Sequence, residues 1–136
     1  STEELFGGKT VALFAVPGAF TPTCSNQQMP GYVQHAASIR EKGVDTIVCV
    51  SVNDAFVMDA WGKDQGAGGN IMMVGDGNGE FTKAIGLEMD GSGFGLGTRS
   101  LRYSMIVRDG VVDTLNIESN PGEAVDSGAE NLMSQL

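Results

Sequence analysis

The sequence is short of positive charge. Its 136 residues hold 8 Lys and Arg against 17 Asp and Glu, a formal charge of −9. No basic stripe exists to neutralise phosphates, which argues against sequence-independent binding to nucleic acid or to an anionic membrane. Long apolar runs are missing too: none approaches the ~20 residues that span a bilayer. Cysteine occurs only twice, as Cys24 and Cys49, and the pair forms neither a CxxC motif nor a disulfide framework. A reducing, cytoplasmic compartment is the expectation. The single histidine, His35, leaves no His/Cys cluster for structural zinc. The first residues, Ser1 to Phe6, lack the basic and apolar regions of a signal peptide and an initial Met, so the chain reads as processed or cut from a longer one.

What is present is enough for one domain with one core. Hydrophobic residues make up 41% and charged residues 18%, below a usual charged share of about 25%, and disorder is excluded on that balance. Thr10–Val16 is a continuous apolar run and reads as a buried strand. Thr21 is placed to cap a helix, with Pro22 at its first position. That helix runs toward Lys42 and stops at Gly43, with a kink or break expected at Pro30. Asp45–Val52 reads as a second buried strand, followed by a helix through Trp61 capped by Asn53 or Asp54. Ile71–Val74 is a third strand, Asp76–Gly79 a turn, Glu80–Ile85 a short helix and Gly91–Gly97 a loop. Arg102–Val107 and Val111–Ile117 flank Asp109-Gly110, a hairpin signal. Ser127 and Glu130 match a capping box that opens a terminal helix. The order predicts an α/β fold, a mixed central sheet with helices on both faces, whose first two strands are parallel.

In such a sheet, chemistry gathers beyond the carboxyl ends of the strands. Cys24 falls there, in the first turn of the helix after the first strand. Free N–H groups and the positive end of the helix dipole favour an anion at that point, and a thiolate is one. Helix N-termini and neighbouring cations bring cysteine pKa values down to roughly 3.5–7.5. Cys49 sits mid-strand among Ile47, Val48 and Val50 and reads as core. A Cys-His dyad fails on distance, since His35 follows Cys24 by eleven residues, about 16 Å along a straight helix. A Cys24–Cys49 disulfide fails similarly, because Cys49 lies about 10 Å back from its strand's end. No dinucleotide or P-loop motif is present, and Asp76–Phe81 lacks the glycine a calcium loop requires.

Pro17-Gly18-Ala19-Phe20-Thr21-Pro22-Thr23-Cys24-Ser25 resembles the active-site segment of the peroxiredoxins, P-x-x-x-T-x-x-C, in the wording of their type II, fifth-class branch. Val50–Asp54 and Arg99-Ser100-Leu101-Arg102-Tyr103-Ser104-Met105 are similar to two later signatures of that branch, and the likeness runs through nearly the whole chain. The resemblance implies a thioredoxin-like fold and thiol-dependent reduction of hydrogen peroxide and alkyl hydroperoxides, with no metal or organic cofactor. Carried over by motif, Cys24 is the peroxidatic cysteine, Thr21 hydrogen-bonds peroxide and thiolate, Pro17 shields the pocket, and Arg102 is the family arginine. Strand alternation sets Arg102 on the face opposite Arg99, Leu101 and Tyr103, and Arg99 is read as a solvated strand-end charge. Thiolate attack on one peroxide oxygen gives a sulfenic acid, while a fixed guanidinium with several donors holds the charge that moves to the leaving oxygen.

Three departures stand out. A strand pair that members carry upstream of Glu4-Leu5-Phe6 is missing. Asp126 occupies the place where some members have a resolving cysteine, which favours a one-cysteine cycle with glutathione and glutaredoxin, or thioredoxin, as reductant. Gln28 stands where many relatives have His. The resemblance also implies a homodimer formed near the site, through Ala55-Phe56 and Gly93–Gly97. The competing reading is a thioredoxin-like binding or chaperone module, redox-regulated and without peroxidase turnover.

Overall fold

In a computed structural model, residues 1–120 and 122–136 are described. The central element is strand β1 (Thr10–Ala15), and its apolar continuity has a direct cause. Ala12 and Phe14 feed one hydrophobic cluster while Val11, Leu13 and Ala15 feed another, so both faces of the strand are covered. Strand β2 (Thr46–Ser51) and strand β3 (Met72–Gly75) lie parallel to it on one side. Strands β6 (Tyr103–Arg108) and β7 (Val111–Ile117) continue antiparallel on the other, giving the order β3-β2-β1-β6-β7. Asp109 and Gly110 join the last two with φ of 48° and 79°, the pair of positive values that a tight primed hairpin turn demands.

One face of the sheet carries helices α2 (Met29–Glu41), α3 (Ala55–Asp64) and α5 (Ala129–Ser134). Phe14, Tyr32, Ile39, Ile47, Met58, Trp61 and Leu132 pack there. Phe14 and Tyr32 stack at 3.8 Å with planes 4° apart. Sealing a side chain the size of Phe14 contributes about 1.5–3 kcal/mol. The opposite face is closed by Phe6 from α1 (Thr2–Phe6), by Phe81 from α4 (Glu80–Ala84) and by Leu87, against Val48, Val50, Tyr103 and Met105. Helices on both faces of a mixed sheet are the architecture the element order implies.

Several local expectations need correcting. Of the two candidate caps for α3, Asp54 is the one that accepts from Val57 N–H, at 2.8 Å. Ser127 does not cap α5: Gly128 holds that position without a side-chain bond, and Ser127 turns inward. Helix α1 has no counterpart in the sequence reading. The glycine-rich loop lies between two short strands that it also omits, β4 (Glu88–Asp90) and β5 (Thr98–Ser100), paired antiparallel in a separate sheet.

Candidate functional site

The site begins where β1 runs out. Val16 N–H still reaches Val50 O at 3.1 Å, and the chain then turns sharply through Pro17–Phe20. Asn53 ties this turn to the end of β2, its Oδ1 accepting from Ala19 N–H at 3.0 Å and from the Ser51 hydroxyl at 2.6 Å. Phe20 is held at φ 63° with its ring about half exposed. A bulky side chain in the left-handed region costs energy and persists only where surroundings enforce it. Helical structure starts at Pro22, so Thr21 does precede the first turn. Its hydroxyl, however, donates to Gly18 O at 2.5 Å instead of capping the helix or reaching the sulfur. Its oxygen keeps acceptor capacity.

The expected break at Pro30 takes the form of a π-helical turn just upstream, Cys24–Gln28, in which Met29 N–H reaches back to Cys24 O. Pro30 then enters α2 within its first turn, where its missing N–H is tolerated. The buried residues of the π turn are Cys24 and Gln28. Both face Arg102, which immediately precedes β6 and is only 5% exposed. Arg102 Nη1 donates to Cys24 Sγ at 3.2 Å and to Gln28 Oε1 at 2.7 Å. Cys24 itself is fully buried in the cluster that includes Phe14, Val16, Ala19 and Tyr32. In surroundings of low dielectric, the attraction between guanidinium and thiolate is far stronger than in water.

The other residues singled out from the sequence fall as follows. Pro17 is half-buried in the turn that leads to Thr21. Cys49 is buried on the same side of the sheet as Cys24, and both thiols are free. Burial pushes the Cys49 thiol up, and the charge of Cys24 pushes it further. His35 lies 3.9 Å from Glu130 on the outer side of α2 and takes no part in the cysteine site. Arg99 is not the solvated charge that was expected. It is half-buried, with Nε donating to Leu96 O and Nη1 to Val52 O, each at 2.9 Å. It therefore braces the Gly91–Gly97 loop against the end of β2. Two further residues near the site carried no such signal in the sequence: Gln28 drew notice only as a departure from relatives, and Glu118 drew none. Among the described residues, no group of three or more His, Cys, Asp and Glu is arranged to hold a metal ion.

A parallel β-α-β core, extended by an antiparallel hairpin and carrying a cysteine in the first turn of the first crossover helix, defines the thioredoxin-like class. Comparisons with known proteins narrow this. The family model described as Redoxin matches residues 1–133. Peroxiredoxin-2B of Arabidopsis thaliana is 46% identical over 136 residues, covering all of this chain and 83% of its own length. Peroxiredoxin-2E, chloroplastic, of the same plant is 50% identical over 138 residues, covering 100% of this chain and 58% of that protein. Reduced Prx3 from Vibrio vulnificus superposes with a TM-score of 0.92 at 57% identity, over 97% of this chain and 83% of that one. The chain belongs to the peroxiredoxins, within the Redoxin family. It spans 58–65% of the length of the first curated relatives it matches.

Proposed function

We propose that this chain is a thiol-dependent peroxidase acting on hydrogen peroxide and alkyl hydroperoxides. The observation that carries the reading is Arg102 Nη1 set 3.2 Å from Cys24 Sγ at the start of a helix. The Cys24 thiolate attacks one peroxide oxygen, a S–O bond forms as the O–O bond breaks, and sulfur is oxidised to sulfenic acid. The leaving oxygen takes the electron pair and a proton and departs as water or alcohol. The guanidinium is charged throughout and faces the oxygen where charge develops. In support, a solved relative, Prx3 from Vibrio vulnificus, is described in complex with hydrogen peroxide and is 57% identical to this chain.

The cycle closes with two external thiols. The first condenses with the sulfenic acid and releases water. The second cleaves the mixed disulfide and regenerates Cys24. Supporting this one-cysteine route are the mid-strand burial of Cys49 and the presence of Asp126, not cysteine, in the segment before α5. A Plasmodium falciparum protein described as a 1-Cys peroxiredoxin is 32% identical, with a TM-score of 0.89. Glutathione with glutaredoxin, or thioredoxin, supplies the thiols in a reducing compartment such as the cytoplasm. Phe56 and Phe94 are each 87% exposed and, together with Phe20, support a homodimer formed beside the site. Sedimentation at graded concentrations tests the dimer.

The deciding experiment mixes reduced protein with one equivalent of hydrogen peroxide, following peroxide loss and Trp61 fluorescence. Trp61 is the only tryptophan, and its Nε1 donates to Ser25 Oγ at 3.0 Å, next to Cys24. Rapid consumption that needs Cys24 but not Cys49 supports the reading. Oxidation that is slow but switches on binding to another protein replaces it with the binding-module reading.

A further inference from the structure

Arg102 is connected to itself by a closed circuit of hydrogen bonds. Its backbone carbonyl accepts from Glu118 N–H at 2.9 Å. The Glu118 carboxylate, only 8% exposed, gathers three successive N–H groups of the segment before α5. Oε1 accepts from Val125 at 2.5 Å and Asp126 at 3.2 Å, and Oε2 accepts from Ser127 at 3.0 Å. Ser127 is wholly buried, and its carbonyl accepts from the Tyr32 hydroxyl at 2.8 Å. Its own hydroxyl oxygen accepts from Gln28 Nε2 at 3.4 Å, and the same amide nitrogen donates to Ala15 O at 3.2 Å. The other end of that amide, Oε1, accepts from Arg102 Nη1 at 2.7 Å.

The chemistry of the amide makes this circuit directional. A glutamine side chain presents an acceptor at one end and two donors at the other, and a half-turn exchanges them. Turned the wrong way, Gln28 would aim N–H groups at a guanidinium that itself has only donors. On its far side, Ala15 O can only accept and so selects the orientation that offers oxygen to Arg102, while Ser127 Oγ takes the second N–H and anchors the amide there. Ser127 stands there because Glu118 folds the segment around its carboxylate.

We propose that Glu118 and Ser127 are positioning residues for Arg102, acting through the orientation of the Gln28 amide and so setting the guanidinium on Cys24. The inference rests on the peroxidase reading for its kinetic consequence, but the geometry it concerns is independent of peroxide. Loss of the Ser127 hydroxyl leaves one amide hydrogen of Gln28 without a buried acceptor and lets the amide tilt about its remaining bond to Ala15 O, away from Arg102. The guanidinium then loses its acceptor on that side and drifts from the sulfur.

The test uses Ser127→Ala, which removes one oxygen and little volume, and Glu118→Gln, which turns one acceptor of the clamp into a donor facing an N–H. Two quantities are read: the second-order rate of Cys24 oxidation by hydrogen peroxide, and the ultraviolet thiolate absorbance near neutral pH. Cys49 is silent in the second measurement because burial pushes its thiol up. The expected result is a rate about fivefold lower in Ser127→Ala, the scale of one lost hydrogen bond, with a lower thiolate fraction and an unchanged melting temperature within a few degrees. In an Arg102→Lys background, Ser127→Ala adds nothing, because the group it positions is gone. Equal losses with and without Arg102, or wild-type rate and thiolate in both variants, overturn the proposal. If wild-type protein does not react with peroxide, the peroxidase reading fails, and thiolate absorbance still decides the positioning role.

Discussion

Two cysteines sit on the same side of the same sheet, both sealed from solvent and both in one apolar cluster. They differ in what stands beside them. Cys24 begins a π turn and meets a guanidinium at 3.2 Å. Cys49 lies mid-strand between buried Val48 and Val50, and burial holds its thiol neutral. Burial alone would silence both, since removing a thiolate from water disfavours the charged form. What separates the two sulfurs is a partner and not exposure, and on the proposed function that partner is what makes Cys24 the reactive one. The comparison also shows how little sequence distance matters: the guanidinium comes from 78 residues away.

The largest effect breaks the comparison outright. Cys24→Ser abolishes peroxide consumption in a coupled assay, whereas Cys49→Ala keeps it. Loss of turnover in Cys49→Ala with retention in Cys24→Ser would exchange the two roles. Next comes selectivity toward a neutral alkylating agent. Cys24 is flanked by half-buried Thr23 and Ser25, Cys49 by buried strand residues, so exposing Cys49 takes a far larger opening of the structure. Mass spectrometry should find Cys24 modified at least about 10³-fold faster, a gap that closes in denaturant.

Much of this contrast was legible before any coordinates, for physical reasons. β1 and β2 are covered on both faces, so their apolar runs are unbroken, and Asp109-Gly110 announces the hairpin. Cys24 stood out because strand, turn and helix start are local features. Arg102 was separable from Arg99 by resemblance alone; the single alternating strand expected through both is absent, since Arg99 lies in Thr98–Ser100 and Arg102 in the link before Tyr103–Arg108. Arg99 was misread because its acceptors, Leu96 O and Val52 O, are backbone groups fixed only by tertiary structure. Glu118 was invisible for the same reason, since its partners are N–H groups of an irregular segment. The helix Thr2–Phe6 and the strands Glu88–Asp90 and Thr98–Ser100 are too short to show a period. Thr21 and Ser127 matched capping patterns, yet their hydroxyls went elsewhere, one to Gly18 O and the other to the Gln28 amide.

A subtler change tests the partner itself. Arg102→Lys keeps the charge but replaces the rigid, planar guanidinium whose single nitrogen Nη1 donates to Cys24 and Gln28 together with a flexible ammonium. Removing one oriented donor from a site of developing charge typically slows a reaction by about 10²–10³-fold. A slowing of that size in stopped-flow oxidation, with the fold intact by circular dichroism, makes geometry and not charge the feature that distinguishes Cys24. A rate within twofold of wild type would leave charge alone as the difference.

The smallest effect concerns Cys49 and is read from stability rather than rate. Its thiol is raised in the folded state, so between the unfolded value, near ~8.5, and the folded one, only the unfolded chain gives up this proton. The unfolded state then binds fewer protons than the native state, and the stability falls as pH rises. Below the unfolded value both states keep the proton and the group has no pH-dependent effect. Above it, this thiol removes about 1.4 kcal/mol of stability per pH unit. Tyr32, also raised by burial, adds a second loss only beyond ~10, where an unfolded tyrosine ionises. Urea unfolding of wild type and Cys49→Ala between pH 8 and 10 should give curves that close, cross near about pH 9 and then separate with the variant the more stable, because the variant lacks the titrating group. Its baseline sits lower by about 1 kcal/mol for the smaller side chain, so the sign of the difference in slope, not the offset, is the readout. Parallel curves would mean that Cys49 ionises as easily when folded as when unfolded, and the contrast between the two sulfurs would then rest on Arg102 alone.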